Sequence, residues 1–113
     1  MPYRIIIAVQ HQSLIQMICG VLRLLSLSCI VTLTTTATDQ MTELVHDLEP
    51  HLLILGFSRK NAGAAIRDAR EARPRLRVLW LGESEEPLPE ADVTLSCPVT
   101  PLRLVEAMSR AMK

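Results

Sequence analysis

Short, almost wholly apolar runs alternate along this chain with longer stretches in which apolar residues recur every three to four positions. The first run, Arg4-Ile5-Ile6-Ile7-Ala8-Val9, is β-branched and predicts a strand covered on both faces. Gln10-His11-Gln12 ends it, and Ser13 is a plausible N-cap. Leu14, Ile15, Met17, Ile18, Val21, Leu22, Leu24 and Leu25 then recur at helical spacing, with Gln16 and Arg23 on the other side. Gly20 is costly inside this helix, a cost that close packing would explain. Ser26-Leu27-Ser28 turns the chain into a second strand, Cys29 to Thr34, whose interleaved threonines suit a sheet edge. Thr38 or Asp39 caps a helix with Met41, Leu44, Val45 and Leu48 on one face, which Pro50 stops.

Leu52-Leu53-Ile54-Leu55 is too short for a helix and lies between turn signals, so it predicts a central strand, ending at Gly56. The polar run Ser58-Arg59-Lys60-Asn61 reads as a loop, followed by a helix from Ala62 to Arg73 with Ile66 and Ala69 inward. Arg77-Val78-Leu79-Trp80-Leu81 is a fourth strand, closed by Gly82. The acidic segment from Glu83 to Glu90 carries two prolines, which argues against a long helix there. Ala91 to Ser96 is a fifth, less apolar strand, and Cys97-Pro98-Val99-Thr100-Pro101 a turn. Thr100 suits the N-cap and Pro101 the first position of a last helix, Leu102 to about Met112. The order β-α-β-α-β-α-β-loop-β-α predicts an α/β domain with helices on both faces of a parallel sheet. Right-handed crossovers then favour a flavodoxin-like, doubly wound five-stranded parallel sheet, order 2-1-3-4-5, with the fourth helix short or absent.

Composition narrows the function. At 113 residues, residues 1–113 form one domain, either a small protein or the N-terminal part of a longer one. Twelve basic and twelve acidic side chains leave no net charge, which argues against direct nucleic-acid binding. Tyr3, Phe57 and Trp80 are too few for base-stacking platforms. Cys19, Cys29 and Cys97 give neither a disulfide framework nor a zinc spacing; with no signal peptide visible, reduced thiols and a cytoplasmic location are expected. The apolar stretches are too short to span a membrane.

In an open parallel sheet, chemistry lies beyond the carboxyl ends of the strands, here Gln10-His11, Gly56, Gly82 and Cys97. The layout resembles the receiver domain of two-component response regulators over the whole chain. Residues 4–11 resemble its opening strand, which ends in a pair of acids. Pro50-His51-Leu52-Leu53-Ile54-Leu55-Gly56 is similar to its PDLILLD strand, Val78-Leu79-Trp80-Leu81-Gly82 to the strand ending in Ser or Thr, and residues 95–102 to the turn after its lysine. The resemblance implies that the pocket is degenerate. Gln10 and His11 stand where receivers carry Mg²⁺-binding acids, Gly56 where the phosphoryl-accepting Asp stands, Gly82 at the sensing hydroxyl, Cys97 at the lysine and Thr94 at the aromatic switch. A neutral Gln-His pair offers Mg²⁺ few hard oxygens, and glycine has no nucleophile. The expectation is a pseudo-receiver: no enzyme, no metal and no cofactor.

Several sharper readings compete with plainer ones. His11 and Cys97 could form a nucleophilic pair or half a metal site, but no third ligand or orienting acid is evident, so a polar loop residue beside a small filler is preferred. Gly56 and Gly82 either open a pocket or are neutral replacements, and the second is favoured. His51 lies at the opposite end of its strand, where a polar contact is the default, and His46 lies on an exposed helix face. Arg59, Lys60, Arg67, Arg70, Arg73, Arg75 and Arg77 are read as a solvated surface because acids interleave them. The resemblance implies an interaction surface on the last helix and fifth strand: Thr94, Leu102, Leu104, Val105, Met108 and Met112. Its expected partner is another protein, an attached output domain such as a transcription factor, or a second copy. A flavodoxin-like small-molecule-binding domain is disfavoured because no Gly-rich phosphate loop follows the first strand. A purely structural dimerisation module also fits the sequence.

Overall fold

The computed structural model describes residues 3–9, 12–24, 29–33, 43, 45–47, 49–56, 58–82, 86, 88–96 and 99–111. Its strands are β1 (Tyr3–Ala8), β2 (Cys29–Leu33), β3 (Leu52–Leu55), β4 (Arg77–Gly82) and β5 (Val93–Ser96). They form one parallel sheet in the order β2-β1-β3-β4-β5. The helices are α1 (Gln12–Leu24), α2 (Arg59–Ala72) and α3 (Pro101–Ala111), and Glu43 and residues 45–47 are helical as well. This is the predicted doubly wound arrangement. None of the described residues between β4 and β5 is helical, in keeping with the two prolines there.

The apolar runs work as strands because both faces are covered. Ile5, Ile7, Leu52, Ile54, Leu79, Leu81 and Leu95 pack with Ile15, Ile18, Val21 and Leu22 of α1 and with Leu104, Ala107, Met108 and Ala111 of α3. Their alternates Ile6, Ala8, Leu53, Leu55, Val78 and Trp80 pack with Ala62, Ala65, Ile66 and Ala69 of α2, with Val45 and with Leu88. Consecutive residues thus feed opposite layers, which is why the strands lack polar alternation.

Two element boundaries differ from expectation. Ser13 is an exposed residue inside α1 and not its cap. Arg59, Lys60 and Asn61 are the first turn of α2, with Asn61 and Ala62 N–H donating to the Ser58 carbonyl at 2.9 and 2.8 Å. Arg and Lys are good helix formers, so polarity alone does not make a loop. The Thr100 cap is present: Arg103 N–H donates to its Oγ1 at 3.3 Å and Leu104 N–H to its carbonyl at 2.9 Å. Before β3, Glu49 takes a left-handed φ of 47° while its N–H donates to the Val45 carbonyl, and Pro50 follows. This terminating geometry is usually given to glycine.

Close packing does not account for Gly20. A Cβ built there meets nothing within 4 Å among the described residues. The helix therefore carries the flexibility cost of glycine with no contact in return, and Gly20→Ala is expected to raise stability by about 0.5–1 kcal/mol. A urea-midpoint comparison with the wild type checks this; a lower midpoint would mean that the position needs its missing side chain.

Candidate functional site

The carboxyl ends of β1, β3 and β4 meet where the register puts Ala8 beside Leu55 and Leu55 beside Trp80. Gly56 N–H continues the ladder, donating to the Ala8 carbonyl at 2.9 Å. Val9 is buried here, and a Cβ on Gly56 would lie 3.2 Å from its Cγ2 and 3.4 Å from its Cγ1. Any side chain at position 56 therefore starts against an isopropyl group.

At the end of β4 the crowding is greater. Trp80 and Gly82 are two residues apart on one strand and share a face. The six-membered part of the Trp80 ring lies over Gly82, so that a Cβ there would come within 2.7 Å of both Cη2 and Cζ3. A side chain at 82 would have to displace the indole of Trp80, so the glycine fits its neighbour two positions back. Among the described residues, Val9 takes the space beside Gly56 and Trp80 the space beside Gly82. Trp80 is 2% exposed, and the Arg59 guanidinium stands over its ring at 5.7 Å from the centroid. Arg59 Nη1 also donates to the Glu86 carbonyl at 3.0 Å.

Arg59, Arg67, Arg70, Arg73 and Arg77, read as solvated surface, have specific partners, whereas Lys60 and Arg75 are exposed. Arg67 Nη1 pairs with Glu90 Oε1 at 3.2 Å. Arg70 forks, with Nη1 donating to the Glu90 carbonyl and Nη2 pairing with Asp92 Oδ2 at 2.8 Å. Arg77 Nη1 lies 3.7 Å from Asp92 Oδ1, and Arg73 Nε donates to the Pro50 carbonyl. Asp92 Oδ2 accepts the Val78 N–H at 2.7 Å while Asp92 N–H donates to the Val78 carbonyl at 3.0 Å. Leu88 is buried, and its N–H donates to Thr94 Oγ1 at 3.2 Å. Gly63 leaves room for the Glu90 carboxylate, whose atoms would lie 3.3–3.5 Å from a Cβ there. The described part of the connection between β4 and β5 packs on the α2-side core through Leu88 and Ala91.

His51 makes the polar contact expected at a strand start. Its Nδ1 accepts the Arg4 N–H at 3.1 Å, so the ring proton sits on Nε2. Its backbone joins β1 to β4, with its N–H on the Arg4 carbonyl at 2.8 Å and its carbonyl taking the Arg77 N–H at 3.2 Å. Burial, then the charges of Arg4 and Arg73, hold its pKa below the ordinary imidazole value of 6.5. The unfolded chain binds this proton more readily. The His51 contribution to stability is therefore whole above about pH 6.5 and is lost as the pH falls below it. His51→Asn, which keeps an acceptor but does not titrate, is expected to flatten the fall in urea midpoint between about pH 6.5 and 5 relative to the wild type. Parallel slopes for the two proteins would contradict the assignment. His46 is exposed, 3.5 Å from Asp47 Oδ1.

Of the residues picked from sequence, Gln10, His11, Cys97 and Met112 lie outside the described residues. Leu104 and Met108 are fully buried beneath α3. They sit on the inward side of the helix, so these two cannot serve as an adaptable surface patch. Val105 is half-buried against the core, Thr94 is half-buried and bonded to Leu88, and Leu102 is 70% exposed. Beside β5 a cleft of about 190 Å³ is lined by Thr94, Leu95, Ser96, Arg103, Glu106 and Arg110. Arg103 Nη2 donates there to Ser96 Oγ at 3.2 Å. Cys19 is a half-buried free thiol packed on the core. Among the described residues no helix is long and apolar enough to cross a membrane.

No protein-family model matches the chain, and no curated protein matches it in sequence. Solved structures match it in shape. The chemotaxis response regulator CheY4 of Vibrio cholerae superposes with a TM-score of 0.81 at 14% identity, covering 98% of this chain and 99% of that one. A CheY-like response regulator receiver domain protein from Methanospirillum hungatei gives 0.77 at 14% identity, covering 99% and 94%. The chain has the receiver fold. NtrX of Brucella abortus shares it at a TM-score of 0.79 and 16% identity over 99% of this chain, which corresponds to only 26% of the NtrX chain. Gly56 and Gly82 lie at the carboxyl end of the sheet of this fold, with Thr94 and α3 on its β5 side.

Proposed function

We propose that this chain is a degenerate receiver domain that acts in signal transduction through protein–protein contact, without aspartyl phosphorylation. The observation that carries the reading is the Trp80 ring lying over Gly82, where a receiver's hydroxyl side chain would stand. The indole takes the space a side chain at 82 would need, so no hydroxyl stands there to meet a phosphoryl oxygen, and Gly56 offers no nucleophile. Gln10 and His11 are poor Mg²⁺ ligands, and Cys97 supplies no cation at the lysine position. The domain works in the cytoplasm and has no catalytic role of its own.

The remaining chemistry faces a protein partner. Leu102, Arg103, Glu106 and Arg110 form the outward part of α3 next to Thr94, and they replace Leu104 and Met108 in the surface read from sequence. NtrX carries the fold as a quarter of a longer chain, which supports an attached output domain, such as a transcription factor, as the partner. Beryllofluoride with Mg²⁺ tests the reading. Amide resonances of Gly56, Gly82 and Thr94 are expected to stay in place through the titration. Saturable shifts centred on Gly56 would overturn it.

A further inference from the structure

Residues 88–92 hold more bonds than a surface connection needs. Their length is short, yet they are fixed to three neighbours at once. Leu88 is buried in the α2-side core. Its N–H is on the Thr94 hydroxyl, so the connection is bonded to the middle of β5. Asp92 exchanges two hydrogen bonds with Val78, one through each of its N–H and carboxylate, and so pins the start of β5 to β4. Arg70 reaches from α2 to both Glu90 and Asp92 with the two arms of one guanidinium, and Arg67 takes the Glu90 carboxylate. A lysine could not make that two-armed bracket. Upstream, Arg59 holds the Glu86 carbonyl while standing over the buried Trp80 ring.

A domain switches only if a second packing lies within a few kcal/mol of the first. Here moving the start of β5 acts on the Asp92–Val78 pair and the Arg70 bracket, and moving Thr94 acts on the Leu88–Thr94 bond. Resting on the reading of the chain as a phosphorylation-independent receiver, we propose that residues 88–92 are a fixed strap, clamped by the arginines of α2, that holds the domain in one state. The β5–α3 face with its Arg103, Glu106 and Arg110 is then presented constitutively. Output is set by the amount of protein or by the partner, and not by a conformational signal inside the domain.

Amide hydrogen exchange on the intact chain tests this. In the wild type the N–H groups of Leu88, Ala91, Asp92 and Val78 are expected to exchange as slowly as those of β4. In Arg70→Gln, those of Leu88, Ala91 and Asp92 are expected to exchange at least about tenfold faster, with β1 and β3 unchanged. Arg59→Ala, whose guanidinium holds only the upstream end, serves as a second variant should Arg70→Gln fail to fold, and it is expected to speed exchange at Leu88. Wild-type strap amides exchanging like open loops, or strap exchange unaltered in either folded variant, would overturn the strap. A beryllofluoride response would instead overturn the receiver reading, so the two failures are distinguishable.

Discussion

Trp80→Ala is expected to lower the unfolding free energy by about 3–5 kcal/mol, the range for truncating a large buried aromatic. The ring is 2% exposed and packs in the α2-side core with Leu53, Leu55 and Ala62. Its loss removes that transfer energy and leaves a void that β4 and α2 cannot close, because both are tied into the sheet or the connection on either side. It also strips Arg59 of the face it stands on. Since domains of this size are stable by roughly 5–15 kcal/mol, this one substitution takes a large share. Urea denaturation followed by circular dichroism measures it, as Trp80 is the only tryptophan. A loss under about 1 kcal/mol would mean that the ring is not seated as described.

Gly82→Thr is expected to cost about 1–3 kcal/mol in the opposite way, by overfilling. Ordinary carbon–carbon contact lies near 3.5–4.0 Å, and the new Cβ would start at 2.7 Å from two ring carbons before its own branches are counted. The hydroxyl that makes the residue receiver-like would therefore disrupt this protein. The cause is the neighbour two positions back, so the two substitutions should couple. In a Trp80→Leu background the threonine is expected to cost at least about 1 kcal/mol less than in the wild type. Simple additivity in the double-mutant cycle would show that something other than the indole excludes a side chain at 82.

The apolar runs, the proline and glycine punctuation and the Thr100 cap were enough to read five strands, their order and the start of the last helix. Those features are local, or follow from handedness rules that hold for nearly every parallel sheet. What escaped the sequence depends on volume or on distant partners. That Trp80 would fill the place beside Gly82 is legible only as two residues on one strand face, and the rotamer decides whether the ring folds over the glycine or away from it. The pairings of Arg67 and Arg70 with Glu90 and Asp92 join residues 20 to 23 positions apart. Charge patterning within one helix pointed instead to a solvated face. The inward placement of Leu104 and Met108 was in principle visible from the pattern Leu104, Ala107, Met108, Ala111, at i, i+3, i+4 and i+7, the signature of a core stripe. The polar start of α2 was hidden because Arg59, Lys60 and Asn61 carry no apolar period.

The glycine at 56 gains its meaning from the same side chains. On its own it removes a nucleophile; its neighbours Val9, and Trp80 beside Gly82, put apolar groups where side chains at 56 and 82 would begin. This receiver fold is expected to accept no phosphoryl group. Incubating the protein with acetyl phosphate and Mg²⁺ and measuring its intact mass tests it most directly. An unchanged mass is expected, and a stoichiometric phosphoryl adduct would contradict phosphorylation-independent action.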